Sequence, residues 1–388
     1  MDLGTFERLL GPEGQELLAE VAERAGIESD LALGTRLRRT HDNDLVAAAV
    51  TQNHLRGQAA TKLGADAAHL YFTHDALEQA TRSRVAAHRA TRLAEAGATA
   101  VVDLGCGIGA DLVAMARAGL RVRGIEQDPV RAAIARANLA ALGLPGTVEC
   151  ADATAVTIDS EETAFVDPAR RTGRGRVFGT DGLQPPWPWV VELLQGRAVA
   201  KVMPGLAHTD VPGGVEAEWV SDGGDLVECC LWGRAFARTR RRATLLPSGA
   251  SLAHADEPPV IGAVGAWLYE PDDAVIRAGV VAELAGLLGG WLPDPHIAWV
   301  SADHGEVTPL ARRFRVVDEL PFREKQLKAA LRARRIGTLT VKKRGVQVVP
   351  EELIKRLKLD GPNTATVVLT RVAGDGRAFL VEASATAR

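Results

Sequence analysis

Residues 101–112 read VVDLGCGIGADL: an apolar run ends in Asp103, passes through glycines at 105, 107 and 109, and gives way to helix-forming residues. Ala100, Val101 and Val102 predict a strand. The glycines let the chain turn sharply and let a ligand approach the main chain, while the helix that follows offers unpaired N–H groups. Outward from this turn, RVRGIEQ predicts a second strand ending at Glu126, 17 residues beyond Gly109. That is close to the spacing of about 20 at which an acid meets ribose hydroxyls in dinucleotide folds. Asp128-Pro129 then supplies a helix N-cap followed by a proline at the first helical position.

From Ala98 to about Pro247 the alternation continues. The runs TVEC, TAFVD, AVAKVM, LVECCLW and RATLL predict strands, and ADLVAMARAG, DPVRAAIARANLAALG and WPWVVELLQ predict helices. Such alternation defines a doubly wound α/β sheet, largely parallel. The runs at 226–236 and 240–246 are separated by a short polar gap and suit an antiparallel hairpin at its edge.

Gly105, Gly107 and Ala110 also satisfy the G-x-G-x-x-G/A fingerprint of nicotinamide and flavin folds. Three acids favour S-adenosylmethionine instead. Asp103, two residues before the first glycine, can receive a cationic methionyl amine and would repel a pyrophosphate. Asp152 in ECADAT follows the third strand and can accept from an adenine amino group. Asp167 follows the fourth strand, at the carboxyl edge where substrates enter such sheets. Gln127 and Ala153, beside Glu126 and Asp152, join them as expected cofactor contacts.

VVDLGCGIGAD, GIEQDPVRAAIARANLAALGL, CADAT and FVDPARR together resemble the successive motifs of class I S-adenosylmethionine-dependent methyltransferases. DPVRAAIARANLAALGL, with LYFTHDALEQATRSRVAAHRA before it, is most similar to the trimethylguanosine-synthase-like branch of RNA methyltransferases. The chain from about 320 resembles the THUMP-like domain fused to such cores. The resemblance implies a Rossmann-like sheet, methyl transfer to RNA, and a helical lid over the cofactor with Phe72, Thr73, Gln79 and Thr81 as contacts. It covers residues 70–388 and only weakly the first 70. Relatives that methylate amino groups carry Pro-Pro-aromatic after the fourth-strand acid; this chain reads Asp167-Pro168-Ala169-Arg170 and lacks the stacking ring. Asp167 and Arg170 are the expected catalytic pair. Arg170 and Arg171, with Arg174 and Arg176 beyond them, offer guanidinium groups to a phosphate or a base.

Residues 1–95 are expected to be helical, with Leu9, Leu10, Leu17, Leu18, Val21 and Ala22 forming an apolar stripe. PSGASLAHADEPP (247–259) reads as a linker, and AVIRAGVVAELAGLLGG as one helix. From Phe322 the expected order is helix, strand IGTLTV, turn KKRG, strand VQVV, helix PEELIKRLKL, then strands TATVVLTRV and AFLVEA. The expected domains are therefore an N-terminal helical domain (1–95), the methyltransferase domain (96–250), a linker and mixed region (251–320), and a small α+β THUMP-like domain (321–388).

The charge is uneven. Lys and Arg total 46 against 49 Asp and Glu, a net charge of −3. Between Leu310 and Lys358, however, 15 basic residues face five acids, a local excess of ten. Such a field attracts polyanions, and Arg332, Arg334, Arg335, Lys342, Lys343 and Arg344 are expected to contact RNA.

Four scattered cysteines give neither a disulfide framework nor a Cys-x-x-Cys zinc pair, and no His/Cys/Asp grouping has metal-ligand spacing. Cys229 and Cys230 read as core. Trp187 and Trp189 in PPWPW suit either a substrate mouth or a packed loop corner. No apolar run approaches a membrane span and no secretory signal opens the chain, so a reduced cytoplasmic enzyme is expected. Three alternatives stay open: a methyltransferase of small molecules or proteins, an inactive cofactor- or RNA-binding module, and a nicotinamide oxidoreductase.

Overall fold

The computed structural model describes residues 1–170, 182–256 and 258–383. The chain gathers into two compact units. The first holds Met1–Val202, Leu206–Val215 and Cys230–Ala237, and the second holds Met203–Gly205, Glu216–Cys229 and the chain from Arg238 onward.

In the first unit, residues 3–95 form the helices Leu3–Leu10, Pro12–Arg24, Asp30–Leu37, Asn43–Leu63, His74–Gln79 and Ser83–Glu95. Phe6, Leu9, Leu17, Leu18 and Val21 are buried in one cluster with the long fourth helix. Leu10, expected on that stripe, is 38 % exposed. The reason is local: the first helix ends at Gly11, and Pro12 starts the next one in a new direction.

The sheet follows. Its strands here are β1 (Ala100–Leu104), β2 (Arg121–Glu126), β3 (Thr147–Cys150), β4 (Glu162–Val166) and, after the separate two-stranded antiparallel pair β5 (Ala169–Arg170) and β6 (Leu183–Gln184), β7 (Ala198–Val202). β1 pairs in parallel with β2 and with β4, β2 with β3, and β4 with β7. The chain therefore runs β1 to β3 toward one edge, then returns to the other side of β1. The crevice at this reversal, above the carboxyl ends of β1 and β4, is where open α/β sheets bind ligands. The helices Ala110–Arg117, Pro129–Ala141 and Trp187–Leu193 lie where the sequence places them.

Beyond β7, β8 (Glu216–Asp222) of the second unit is joined through Gly223 and Gly224, both at positive φ, to its neighbour β9 (Asp225–Trp232), whose last three residues belong to the first unit. This two-glycine turn makes the hairpin that the sequence analysis assigned to 226–236 and 240–246. β10 (Arg241–Leu246) instead runs parallel to β8, and its antiparallel partner is β11 (Ala250–Ala253), inside the stretch expected to be linker. Six further strands form a second sheet in the order β13-β12-β14-β17-β16-β15: β12 (Trp267–Pro271), β13 (Val300–Ala302), β14 (Ala311–Leu320), β15 (Ile336–Lys343), β16 (Asn363–Val372) and β17 (Asp375–Ala383).

Two more expectations change here. The single helix over 274–290 is two helices, Asp273–Ala278 and Val281–Leu287, parted at Gly279 with φ +67°. VQVV is not a strand: β15 already extends through Lys342 and Lys343 and pairs in parallel with β16, so the chain must cross over through the helix Pro350–Leu357. Val346 and Val348 pack against the core formed by Leu327, Leu331, Leu339, Leu353 and Leu357. No helix of the described residues is long and apolar enough to cross a membrane.

Candidate active site

A cavity of about 590 Å³ opens at the carboxyl ends of β1, β2 and β4. Asp103, Gly105, Gly107, Glu126, Gln127, Asp152, Ala153 and Asp167 all line it, as do Gln79 and Thr81 from the helical segment. The fold thus brings these ten residues from distant segments to one place.

Gly105 and Gly107 adopt φ of +101° and +56°, a region costly for other residues. A side chain added at either would meet nothing within 4 Å. Gly105 and Cys106 donate their N–H groups to the Ile125 carbonyl at 2.8 and 3.0 Å, which fastens the turn to β2. Gly109 does a different job from the one expected: it does not line the cavity, and its backbone at φ +84° lies against Ala135 of the neighbouring helix. It is a packing glycine.

Glu126 is 5 % exposed. Its two oxygens accept from the N–H groups of Gly107 and Asp128, each at 2.9 Å. Asp152 is exposed and accepts from the N–H and hydroxyl of Thr154, both at 2.8 Å, which hold its carboxyl below the usual range. Asp103 is 1 % exposed, and its Oδ1 has no hydrogen-bond partner among the described residues. Burial pushes its carboxyl well above the usual range, and Asp111, Asp167 and Glu126 push the same way against Arg89.

Phe72 and Thr73 do not reach the cavity. Phe72 is buried in the helical core, and its backbone exchanges hydrogen bonds with the Gln52 amide at 2.7 and 2.9 Å. Thr73 caps the helix His74–Gln79 by accepting from the Ala76 N–H. Their neighbour Tyr71 is tied by Asn138, whose amide also donates to the Ile108 carbonyl at 2.9 Å. The clamped stretch 71–73 therefore supports the roof, while Ala76, Gln79, Ala80 and Thr81 form it.

Sequence reasoning missed three groups. Asp111, on the helix after the glycine turn, accepts from Thr81 Oγ1 at 2.8 Å and pairs with the buried Arg89. Lys201 of β7 forms an ion pair with Asp167. Its sequence signal is a lone lysine inside the apolar run AVAKV, at a strand end beside a suspected acid. Asn138 shows no such signal, because its partners are backbone groups 30 and 67 residues away. Trp189, with Pro185 and Pro186, lines the cavity, so PPWPW contributes to the mouth; Trp187 does not line it. Arg170 belongs to β5, but the role expected of its side chain, and those of Arg171, Arg174 and Arg176, lie outside what is described.

In the C-terminal sheet the expected RNA contacts divide. Arg334 pairs with Asp318, Lys342 with Glu270 at 2.6 Å, and Arg332 donates to the Lys358 carbonyl. Their donors are engaged within the chain. Arg335, Lys343 and Arg344 have no acidic partner among the described residues.

A glycine turn at a sheet reversal, ringed by carboxylates at successive strand ends, defines a class I nucleotide-type cofactor fold with a preference for a cation. An unpartnered buried carboxylate oxygen and an open glycine cradle fit S-adenosylmethionine, whose amine and sulfonium are both positive. Family models match as Methyltransferase domain at residues 101–166, THUMP domain-like at 311–383, and a domain of unknown function at 2–59. Proteins described as uncharacterized S-adenosylmethionine-dependent methyltransferases in two Mycobacterium tuberculosis strains, CDC 1551 and H37Rv, are each 39 % identical over 333 residues. That match spans 82 % of this chain and 90 % of theirs. The chain belongs to this S-adenosylmethionine-dependent methyltransferase family and carries a C-terminal THUMP-like domain. A solved structure from Porphyromonas gingivalis W83, assigned as a methyltransferase, shares the fold with a TM-score of 0.74. The identity is 22 %, covering 96 % of this chain and 98 % of that one.

Proposed function

We propose that the enzyme methylates RNA, at an acceptor nitrogen or oxygen that carries a hydrogen. The observation carrying the RNA reading is the basic excess between 310 and 358, within a THUMP-like domain that leaves Arg335, Lys343 and Arg344 without acidic partners among the described residues. Asp103 would receive the cofactor amine, Glu126 the ribose hydroxyls and Asp152 the adenine amino group, with Gln127 and Ala153 beside them. Bound S-adenosylmethionine supplies a methyl group on a positively charged sulfur. Asp167, at the carboxyl end of β4, accepts a hydrogen bond from the acceptor and takes its proton. A carboxylate can only accept here, so a bare ring nitrogen is disfavoured and an exocyclic amine or hydroxyl is favoured. Trp189 offers a flat face for a base in place of the ring missing after Asp167.

Purified enzyme should pass labelled methyl groups to RNA from cells lacking the protein, and RNA affinity should fall as salt rises. The pair Lys343→Glu and Arg344→Glu should lower the slope of log affinity against log salt by about two units, one per phosphate contact. Absence of both labelling and RNA retention would refute the reading.

A further inference from the structure

We infer that Lys201 is a positioning residue for methyl transfer, holding Oδ2 of Asp167 so that Oδ1 is presented to the acceptor. The inference rests on the role proposed above for Asp167. β4 and β7 run in parallel with Val166 beside Ala200, so the chain carries Asp167, just past the end of β4, alongside Lys201 of β7. Lys201 Nζ meets Asp167 Oδ2 in an ion pair; the Asp167 side chain is 37 % exposed and faces the cavity, whereas that of Lys201 is 16 % exposed and stays behind it.

Withdrawing an ammonium from water is costly, which makes a partly buried ion pair a poor device for stability alone. Desolvation pulls the Lys201 ammonium down, but Asp167 and Asp111 outweigh it and the repulsion of Arg89, leaving it above its ordinary value. Lys62, from the helix Asn43–Leu63, adds a second repulsion. Lys201 thus remains charged at neutral pH and fixes one oxygen of its neighbour.

Two experiments decide it. Lys201→Met should lower kcat for methyl transfer about 100-fold, the scale of a displaced general base, with KM for S-adenosylmethionine changed less than about twofold; Lys201→Arg should recover most of the loss. Native turnover in the Met variant would overturn the inference. The second uses nitrogen-15 lysine NMR on the full chain, whose eight lysines give a readable spectrum. The Lys201 ammonium should titrate at lower pH in Asp167→Asn than in the native enzyme, and an unchanged titration would overturn the inference. This measurement needs no acceptor, so absence of RNA methylation would count against the RNA reading and leave Lys201 to be judged by NMR.

Discussion

Asp103 carries the sharpest residue-scale consequence of the site. Its carboxyl sits above the ordinary 3.8 because burial and three other acids disfavour its charge. Between 3.8 and that raised value, and without a bound cation, the folded protein holds a proton there that the unfolded chain gives up. Its contribution to stability therefore declines as pH rises from about 3.8 toward the raised value. A cationic ligand reverses the preference. S-adenosylmethionine affinity should rise with pH across that window, with proton release visible by calorimetry in buffers of different ionisation enthalpy. Asp103→Asn should remove the pH dependence and weaken binding by about 1.5–3 kcal/mol, the range for a hydrogen bond to a charged group. Asn138→Ala tests a different residue. It strands the Tyr71 N–H and two buried carbonyls, and should cost about 2–3 kcal/mol, read as a lower urea midpoint.

At the scale of elements, close backbone approach decides where substitution is impossible. A methyl group at Gly337 would lie 1.7 Å from the Gly361 carbonyl oxygen, so Gly337→Ala should disrupt the start of β15 and give insoluble or unfolded protein on expression. The same scale shows what the sequence made legible. Strands β1, β4 and β7 are readable as largely apolar runs bounded by turn residues, β2 and β3 as short runs in which apolar residues alternate with polar ones, and the acids near the ends of β1 to β4 mark the site. The β8–β9 hairpin was not: Glu216, Glu218 and Asp222 make β8 look polar, although all seven of its residues are buried. VQVV carries strand-forming residues, yet parallel pairing of β15 with β16 left it as part of a crossover. Local preference yields there to connectivity.

Across the whole molecule, charges of opposite sign collect in different units. Carboxylates gather around the cofactor cavity in the first unit, and the basic excess lies in the second. The two should be separable by mutation: Lys343→Glu with Arg344→Glu should weaken RNA binding while leaving S-adenosylmethionine affinity within about twofold, measured by calorimetry. Loss of both affinities together would show that the two functions share one determinant.

The clamp on residues 71 and 72 has a mechanical corollary. With Asn138 and Gln52 gripping the main chain there, any doorway into the cavity must swing from beyond Thr73, leaving a flap of only a few residues. Its free end is latched by Lys62, which donates to the Leu77 and Glu78 carbonyls, and by Thr81 bonded to Asp111. Those three bonds, and not the grip on residues 71 and 72, are the contacts whose loss would set the flap free.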